Sequence, residues 1–161
     1  MSELIPKVGM QPTEPAEVVT TFLAALAGKD LEGAGDLLDE AVVYTNVGLP
    51  TLRGRRAVVR ALGLLDRPGC RFEVYVHAQA ESDGVVLNER TDVIVLGPVR
   101  LQFWVTGRFD VRGGRITLWR DSFDFLDTTR ALIRGLLGAL VPALRPKPPT
   151  SGDAAPGRHR P

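Results

Sequence analysis

The chain has 161 residues, a length that favours one domain large enough to bury a sizeable core. Its 20 basic and 19 acidic side chains almost balance, which argues against a nucleic-acid partner or an anionic membrane surface. One cysteine and two histidines exclude an intramolecular disulfide and disfavour a zinc site, and the low cysteine content fits a cytoplasmic protein.

The first half of the chain is predicted to alternate helices with one strand. Residues 1–12 are expected to form a flexible arm, and a helix follows with Thr13 as its N-cap and Gly28 at its end. Asp30 is a suitable cap for a short second helix. The segment AVVYTNVGLP is typical of a strand that runs into a loop, and RGRRAVVRALGLLDR is typical of a third helix.

From Cys70 onward the apolar pattern changes to a period of two. Four segments alternate in this way and are predicted strands: CRFEVYVHAQAE, VVLNERTDVIVL, LQFWVTGRFDV and RITLWRDSFDFL. The intervening SDG, GPVR and RGG are predicted turns. A last helix, residues 128–141, is apolar almost all round, so we expect it to be buried against the domain, a partner subunit or both.

The order of these elements predicts a single α+β domain over residues 13–145. Its helices are expected to pack on one face of a curved sheet. Residues 146–161 are rich in proline, glycine and charge, and they are predicted to form a disordered tail.

Common catalytic and anchoring motifs do not occur in the sequence. There is no phosphate-binding loop, no dinucleotide-binding glycine motif and no G-x-S-x-G nucleophile motif. No run of about 18 apolar residues is present, so no membrane span is expected, and no metal site is predicted. If the chain is an enzyme, its acids and bases must therefore be carboxylates, helped by arginine or tyrosine.

Polar residues two apart fall on one face of three predicted strands. Arg90 and Asp92 point together, as do Tyr44 and Asn46, and Asp121 lies among aromatic residues. Two aspartates around one arginine leave a surplus negative charge. In an apolar pocket this charge is removed most cheaply when one carboxyl is protonated, which leaves one base and one acid. The same spacing also fits a structural ion pair between Arg90 and Asp92, and that alternative stays open at this point.

The segments YTN, ERTD and LWRDSFD, in this order and spacing, resemble the limonene-1,2-epoxide hydrolase family. The most specific run is LGPVRLQFWVTGRFDVRGGRITLWRDSFD, and the similarity extends over residues 13–145. The resemblance implies a cone-shaped α+β barrel, shared with the ketosteroid isomerases. In this fold a strongly curved mixed sheet has N-terminal helices on its concave side and a C-terminal helix. The resemblance also implies a homodimer and no cofactor.

The family resemblance further implies a role for each polar residue. Asp121 corresponds to the general base, and with Tyr44 and Asn46 it would hold the hydrolytic water. Asp92 corresponds to the protonated general acid, and Arg90 keeps the two protonation states apart. The implied reaction adds water to an apolar epoxide in one step and gives a vicinal diol, without a covalent intermediate.

The substrate side of the pocket is less defined by these motifs. Its predicted wall consists of Trp119, Phe123, Leu101, Phe103 and Leu87. The motifs do not distinguish a terpene, fatty-acid or sterol epoxide. An isomerase or cyclase of the same fold, or a non-catalytic protein that binds small hydrophobic ligands, is the alternative. An isomerase needs an oxyanion hole, but it does not need Tyr44 and Asn46 to converge on a water.

Overall fold

A six-stranded mixed sheet, in the order β2-β1-β6-β5-β4-β3, is the centre of the structure. The computed structural model describes residues 13–141 and Ala143, and the predicted arm at residues 1–12 and tail at residues 146–161 lie outside that range. The strands are β1 (Leu38–Asn46), β2 (Leu52–Arg53), β3 (Cys70–Ser82), β4 (Val85–Leu96), β5 (Val99–Arg112) and β6 (Arg115–Ser122). The helices are α1 (Pro15–Ala27), α2 (Leu31–Asp36), α3 (Arg55–Leu62) and α4 (Phe125–Leu140), with a 3₁₀ turn at Gly63–Asp66.

The strand pairing confirms the predicted α+β plan. β1 runs parallel to β6, and every other pair in the sheet is antiparallel. The four strands from β3 to β6 form a meander whose turns fall at the three predicted places. Asp83 and Gly84 both have positive φ, 52° and 79°, which is the conformation that a tight two-residue hairpin requires.

Two predicted boundaries were wrong. Helix α1 begins at Pro15, and the residue at its N-cap position is Glu14, not Thr13. Proline suits the first helical position because its missing N–H would have no helical partner there. The side chain of Glu81 on β3 accepts the hydrogen bond of the Ala16 amide at 3.1 Å, so a tertiary contact replaces the expected local cap.

Strand β6 ends at Ser122, four residues earlier than predicted, and α4 begins at Phe125. From Phe125 onward the apolar residues follow a helical spacing of three and four in place of strict alternation. Asp30 does cap α2 as predicted, because its Oδ1 accepts the amide of Gly33 at 2.8 Å.

The core lies between the concave side of the sheet and the first three helices. Helix α1 contributes the buried residues Val18, Val19, Phe22, Leu23 and Leu26. The ring of Phe22 meets that of Trp119 edge to face, with 5.0 Å between centroids, and Phe109 stacks on the other side of this cluster. The N-terminal helices therefore close one end of the curved sheet and leave the rest of its inner face for a site.

Helix α4 packs along β5 and leaves much of its apolar surface exposed. A Cβ at Gly135 would lie 2.6 Å from the carbonyl oxygen of Arg100, so this close approach requires glycine. The exposed face of the helix, which we call the α4 leucine face, consists of Leu132, Ile133, Leu136, Leu137 and Leu140. The helix is thus only partly buried within one chain. In the part of the chain that the structure describes, no helix is long and apolar enough to cross a membrane.

Candidate active site

The register of four strands brings the predicted polar residues onto one face of the sheet. Asn46 pairs with Asp121 across β1 and β6, and Asp121 pairs in turn with Gly107 on β5. On the other side of β5, Arg90 pairs with Val105, one alternation step from Gly107. Side chains at paired positions lie on the same side of a sheet, so Arg90 and Asp121 both overhang the glycine. With no side chain between them, the two groups meet above β5.

Arg90 is the centre of a buried network. Its Nε donates to Asp92 Oδ1 at 2.9 Å, and its Nη2 donates to Asp92 Oδ2 at 3.2 Å and to Asp121 Oδ2 at 2.7 Å. Only 1% of Arg90, 6% of Asp92 and 4% of Asp121 is exposed to solvent. One guanidinium therefore bonds two carboxylates that are both out of water.

Burial changes the acidity of both carboxylates. It raises the pKa of Asp92 to about 6, against the opposing effect of Arg90 and with a further increase from the charge of Asp121. Burial likewise raises the pKa of Asp121, again opposed by Arg90. When both carboxylates are ionised the trio carries one net negative charge in an apolar setting. It therefore retains a proton at pH values where ordinary aspartates have lost theirs, and this proton belongs to the coupled pair.

Tyr44 and Asn46 stand beside Asp121. Asn46 Nδ2 donates to the phenol oxygen of Tyr44 at 2.6 Å, which leaves the phenol's own proton free to donate. Burial, together with the charge of Asp121, raises the pKa of Tyr44, so the phenol stays neutral and keeps that proton. Asp121 Oδ1 is buried and makes no hydrogen bond within residues 13–141 and 143, and the buried Trp119 Nε1 is also unpaired there; hydrogen bonding from Trp119 would lower the pKa of Asp121. A buried carboxylate oxygen without a partner is uncommon in proteins and marks this corner of the site as a binding position.

Apolar side chains surround the carboxylates. Phe103 pairs directly with Asp92, and Leu101 lies two residues away on the same face. Phe123 meets Phe103 with 5.9 Å between ring centroids. Trp119 is almost fully buried and stacks on Tyr44 at 3.9 Å, so it supports the tyrosine ring from the core side.

Leu87 does not belong to this surface, and its predicted place in the pocket wall was wrong. It is five residues from Asp92 on the same strand, and an odd separation puts the two side chains on opposite faces. Leu87 pairs with Ala80 and Arg108 and is 50% exposed.

Asn88 and Gly107 were missed by the sequence reasoning. Asn88 is 2% exposed, and its Oδ1 accepts from Arg90 Nη1 at 3.0 Å. Its position two residues before Arg90 was a usable signal, because alternation puts both side chains on one face. The sequence around Gly107 did not indicate a role in the site, because that role depends on how β5 pairs with β4 and β6. Across residues 13–141 and 143, no group of three or more potential metal ligands occurs.

The sequence and the structure of this chain are similar to those of known proteins. Residues 13–134 match the family model described as the limonene-1,2-epoxide hydrolase catalytic domain. Epoxide hydrolase EphG of Mycobacterium tuberculosis is 45% identical over 129 residues, which is 79% of this chain and 85% of that protein. The solved structure of an M. tuberculosis LEH-like epoxide hydrolase superposes with a TM-score of 0.79 at 41% identity, covering 84% of this chain and 96% of that one.

More distant structures share the fold alone. A putative ketosteroid isomerase from Kribbella flavida is 18% identical and has a TM-score of 0.58, with 68% of this chain and 77% of that chain covered. This similarity confirms the predicted cone-shaped fold, and it carries no information about chemistry.

Proposed function

The chain belongs to the limonene-1,2-epoxide hydrolase family, and we propose that it adds water to an apolar epoxide and releases a vicinal diol. The observation that carries this proposal is the buried trio in which Arg90 bonds both Asp92 and Asp121. Beside it, Asp121 Oδ1 has no partner among the described residues and adjoins two polar side chains. The proteins at 41% and 45% identity are named epoxide hydrolases, whereas the isomerase-like structure is 18% identical.

Asp121 is the general base in this proposal. A water bound at Asp121 Oδ1 donates one proton to that oxygen and the other to the amide oxygen of Asn46, and it accepts the phenol proton of Tyr44. These three bonds leave one lone pair of the water free to attack an epoxide carbon. Positioning of this kind turns a bimolecular attack into an effectively intramolecular step.

Asp92 is the general acid. We assign the shared proton to Asp92 because its neighbours across β3 and β5 are the apolar Val74 and Phe103, which disfavour its ionised form. Asp121, in contrast, has polar neighbours and the shorter contact to Arg90, at 2.7 Å. As the water attacks, the C–O bond of the ring breaks and the ring oxygen takes the proton of Asp92.

Arg90 keeps the charge of the site constant through the reaction. Before the attack Asp121 is ionised and Asp92 is neutral, and afterwards the two states are exchanged. The guanidinium bonds both carboxylates, so it faces one negative charge at both stages. The charge moves between two groups that are already bonded to Arg90, which limits the reorganisation that the buried site must undergo.

Leu101, Phe103 and Phe123 supply the apolar surface for the rest of the substrate. They lie on or against the face that carries Asp92, which supports an epoxide attached to a hydrocarbon body. Assays with different classes of epoxide would identify the class of that hydrocarbon.

A homodimer and a cytoplasmic location are further parts of the proposal. The α4 leucine face is apolar and exposed in a single chain, which supports its burial against a second copy. The one cysteine, Cys70, is a buried free thiol, in keeping with a reducing compartment.

The test is diol formation from a panel of terpene, fatty-acid and sterol epoxides. We expect the wild-type protein to hydrate at least one class. Asp121→Asn and Asp92→Asn should each lower kcat by roughly 10²–10⁴-fold, because each keeps the shape and removes a proton-transfer group. Asp110→Asn is the matched control, since Asp110 bonds Arg108 away from the site. Near-normal turnover in both site variants would overturn the assignment.

A further inference from the structure

We propose that Asn88 is a positioning residue for this reaction, holding the one nitrogen of the Arg90 guanidinium that bonds neither carboxylate. The inference rests on the proposed function, because it concerns the same trio. It assigns a task to a buried amide that the proposed proton transfers do not use.

The hydrogen bonds of Arg90 divide its guanidinium between three partners. Nε and Nη2 bond Asp92, Nη2 also bonds Asp121, and Nη1 donates to Asn88 Oδ1 at 3.0 Å. All three guanidinium nitrogens are therefore engaged. With Asn88 in place, the rigid planar group cannot reorient about the side-chain torsions of Arg90 without breaking a buried hydrogen bond.

Asn88 is itself held by a chain of contacts that reaches helix α1. Its Nδ2 donates to Gln79 Oε1 at 3.5 Å, and Gln79 Nε2 donates to the carbonyl oxygen of Ala16 and to Thr20 Oγ1, both at 3.2 Å. Because the amide oxygen of Asn88 must accept from an obligate donor, its NH₂ group must face Gln79. Helix α1, which lies outside the sheet, therefore helps to fix the orientation of Arg90 through these hydrogen bonds.

The backbone leaves space for this arrangement at Gly107. A Cβ on Gly107 would collide with Arg90 Nη1 and would lie 2.6 Å from Asn88 Oδ1. Gly107 pairs with Asn88 on one side and with Asp121 on the other. The absence of a side chain at Gly107 therefore leaves room for Asn88 to bond Arg90 and for Arg90 to bond Asp121.

The direction of the guanidinium matters because Nη2 is shared unequally between the carboxylates, at 2.7 Å from Asp121 and 3.2 Å from Asp92. The ionisable groups that face Arg90 are Asp92 on its own strand, Asp121 on β6 and Tyr44 on β1. The positions facing it on β3 and β5 hold Val76 and Val105. A turn of the guanidinium would change which carboxylate it favours and would shift the proton between acid and base.

Two variants separate positioning from packing. Asn88→Leu has a similar shape but removes the acceptor for Nη1, so we expect kcat to fall about 10–100-fold while KM stays within about twofold. Asn88→Asp keeps the acceptor and adds a negative charge. It should lose less activity than Asn88→Leu, and its pH–rate profile should move to higher pH because a like charge raises the pKa of neighbouring carboxyls.

Thr91→Val is the matched control. Thr91 lies between Arg90 and Asp92 on the same strand and is also buried, but it points to the other face, where it bonds His77 at 2.8 Å. This variant should lose thermal stability to a similar extent and keep the kcat and pH profile of the wild type. If both Asn88 variants behave like Thr91→Val, with lower stability alone, the positioning role is wrong.

A titration of the aspartate carboxyls by ¹³C NMR needs no substrate, so it tests Asn88 independently of turnover. Asn88→Leu, which adds no charge, should shift the apparent pKa values of the Asp92 and Asp121 pair because Arg90 is no longer held at Nη1, and Thr91→Val should not. If no epoxide is hydrated but this shift appears, the proposed function fails and the hold of Asn88 on Arg90 stands. If diols form and neither Asn88 variant alters titration or kcat, the proposed function stands and the inference fails.

Discussion

Arg90 has two buried anionic partners and is the only cation bonded to either of them among the described hydrogen bonds and ion pairs. An ion pair that served stability alone would match one charge with one charge, since a surplus buried charge is expensive. The surplus here is removed by a retained proton, which makes one carboxyl an acid at a pH where free aspartate is a base. This is the residue-scale reason to interpret the trio as catalytic machinery.

The rate of diol formation should depend on the protonation state of Asp92. Asp92 must be protonated to act as the acid, and burial raises its pKa to about 6. We therefore expect kcat/KM for diol formation to fall above about pH 6, by a factor approaching ten per pH unit. Initial rates between pH 4 and 9 would measure this limb. A profile that stays flat to pH 9 would contradict Asp92 as the acid.

The second prediction is that Asp92→Asn changes the free energy of unfolding, relative to wild type, more favourably at pH 8 than at pH 4. The folded-state pKa of about 6 lies above the ordinary value of 3.8, so the folded protein binds this proton more tightly than the unfolded chain. The stabilising contribution is present below about pH 4 and is lost as pH rises through about 6.

Urea unfolding at pH 4 and pH 8 measures this effect. The free energy of unfolding of Asp92→Asn, relative to wild type, should be higher at pH 8 than at pH 4. Asp110→Asn, at a partly exposed ion pair, serves as the control and should not reproduce the gain. Equal differences at the two pH values would mean that ionisation of Asp92 costs no stability.

At the scale of elements, alternation predicted much of the site. The strands from β3 to β6 were predicted together with their turns, and the shared face of Arg90 and Asp92 follows from a period of two. The alternation of residues along a strand does not determine how neighbouring strands are aligned. The position of the Arg90 side chain over Gly107 could therefore not be predicted.

Interruptions of the strand pattern explain other differences. The pairing of β3 with β4 shifts between Val76 and Ala78, and this irregularity puts Gln79 opposite Asn88. A strict period of two along β3 would have placed Gln79 on the other face from Val76. The amide of Ala16, near the start of α1, is likewise satisfied by Glu81, a residue distant in sequence.

The third prediction concerns the α4 leucine face. If a second copy covers it, Leu136→Glu should shift the protein toward a monomer, because a charge would be buried in an apolar interface. Light scattering at micromolar concentration should give twice the chain's 17.5 kDa for the wild type and less for this variant. Leu136 is 49% exposed in the single chain, so the change should leave the monomer folded.

The control for this experiment is Leu64→Glu. Leu64 is 56% exposed on the 3₁₀ turn after α3, away from the α4 leucine face, and its variant should remain dimeric. A wild-type monomer, or an unchanged dimer in Leu136→Glu, would contradict the proposed interface.

At the scale of the whole molecule, a curved sheet closed at one end by helices provides a dry inner face. The aromatic cluster of Phe22, Phe109 and Trp119 fills the closed end, and the carboxylates lie on the inner face beside it. Structures named as a putative ketosteroid isomerase and putative polyketide cyclases share this shape at 19% identity or less. The fold thus supplies the apolar enclosure, and the polar residues on it determine the chemistry.

In the proposed mechanism water attacks the epoxide directly, without an ester to Asp92 or Asp121. A single turnover in H₂¹⁸O, with enzyme in excess over epoxide, tests it most directly. We expect ¹⁸O in the diol and none in the protein, because the attacking oxygen comes from solvent. An unlabelled diol, with ¹⁸O in an aspartate carboxyl after hydrolysis of an ester, would contradict it.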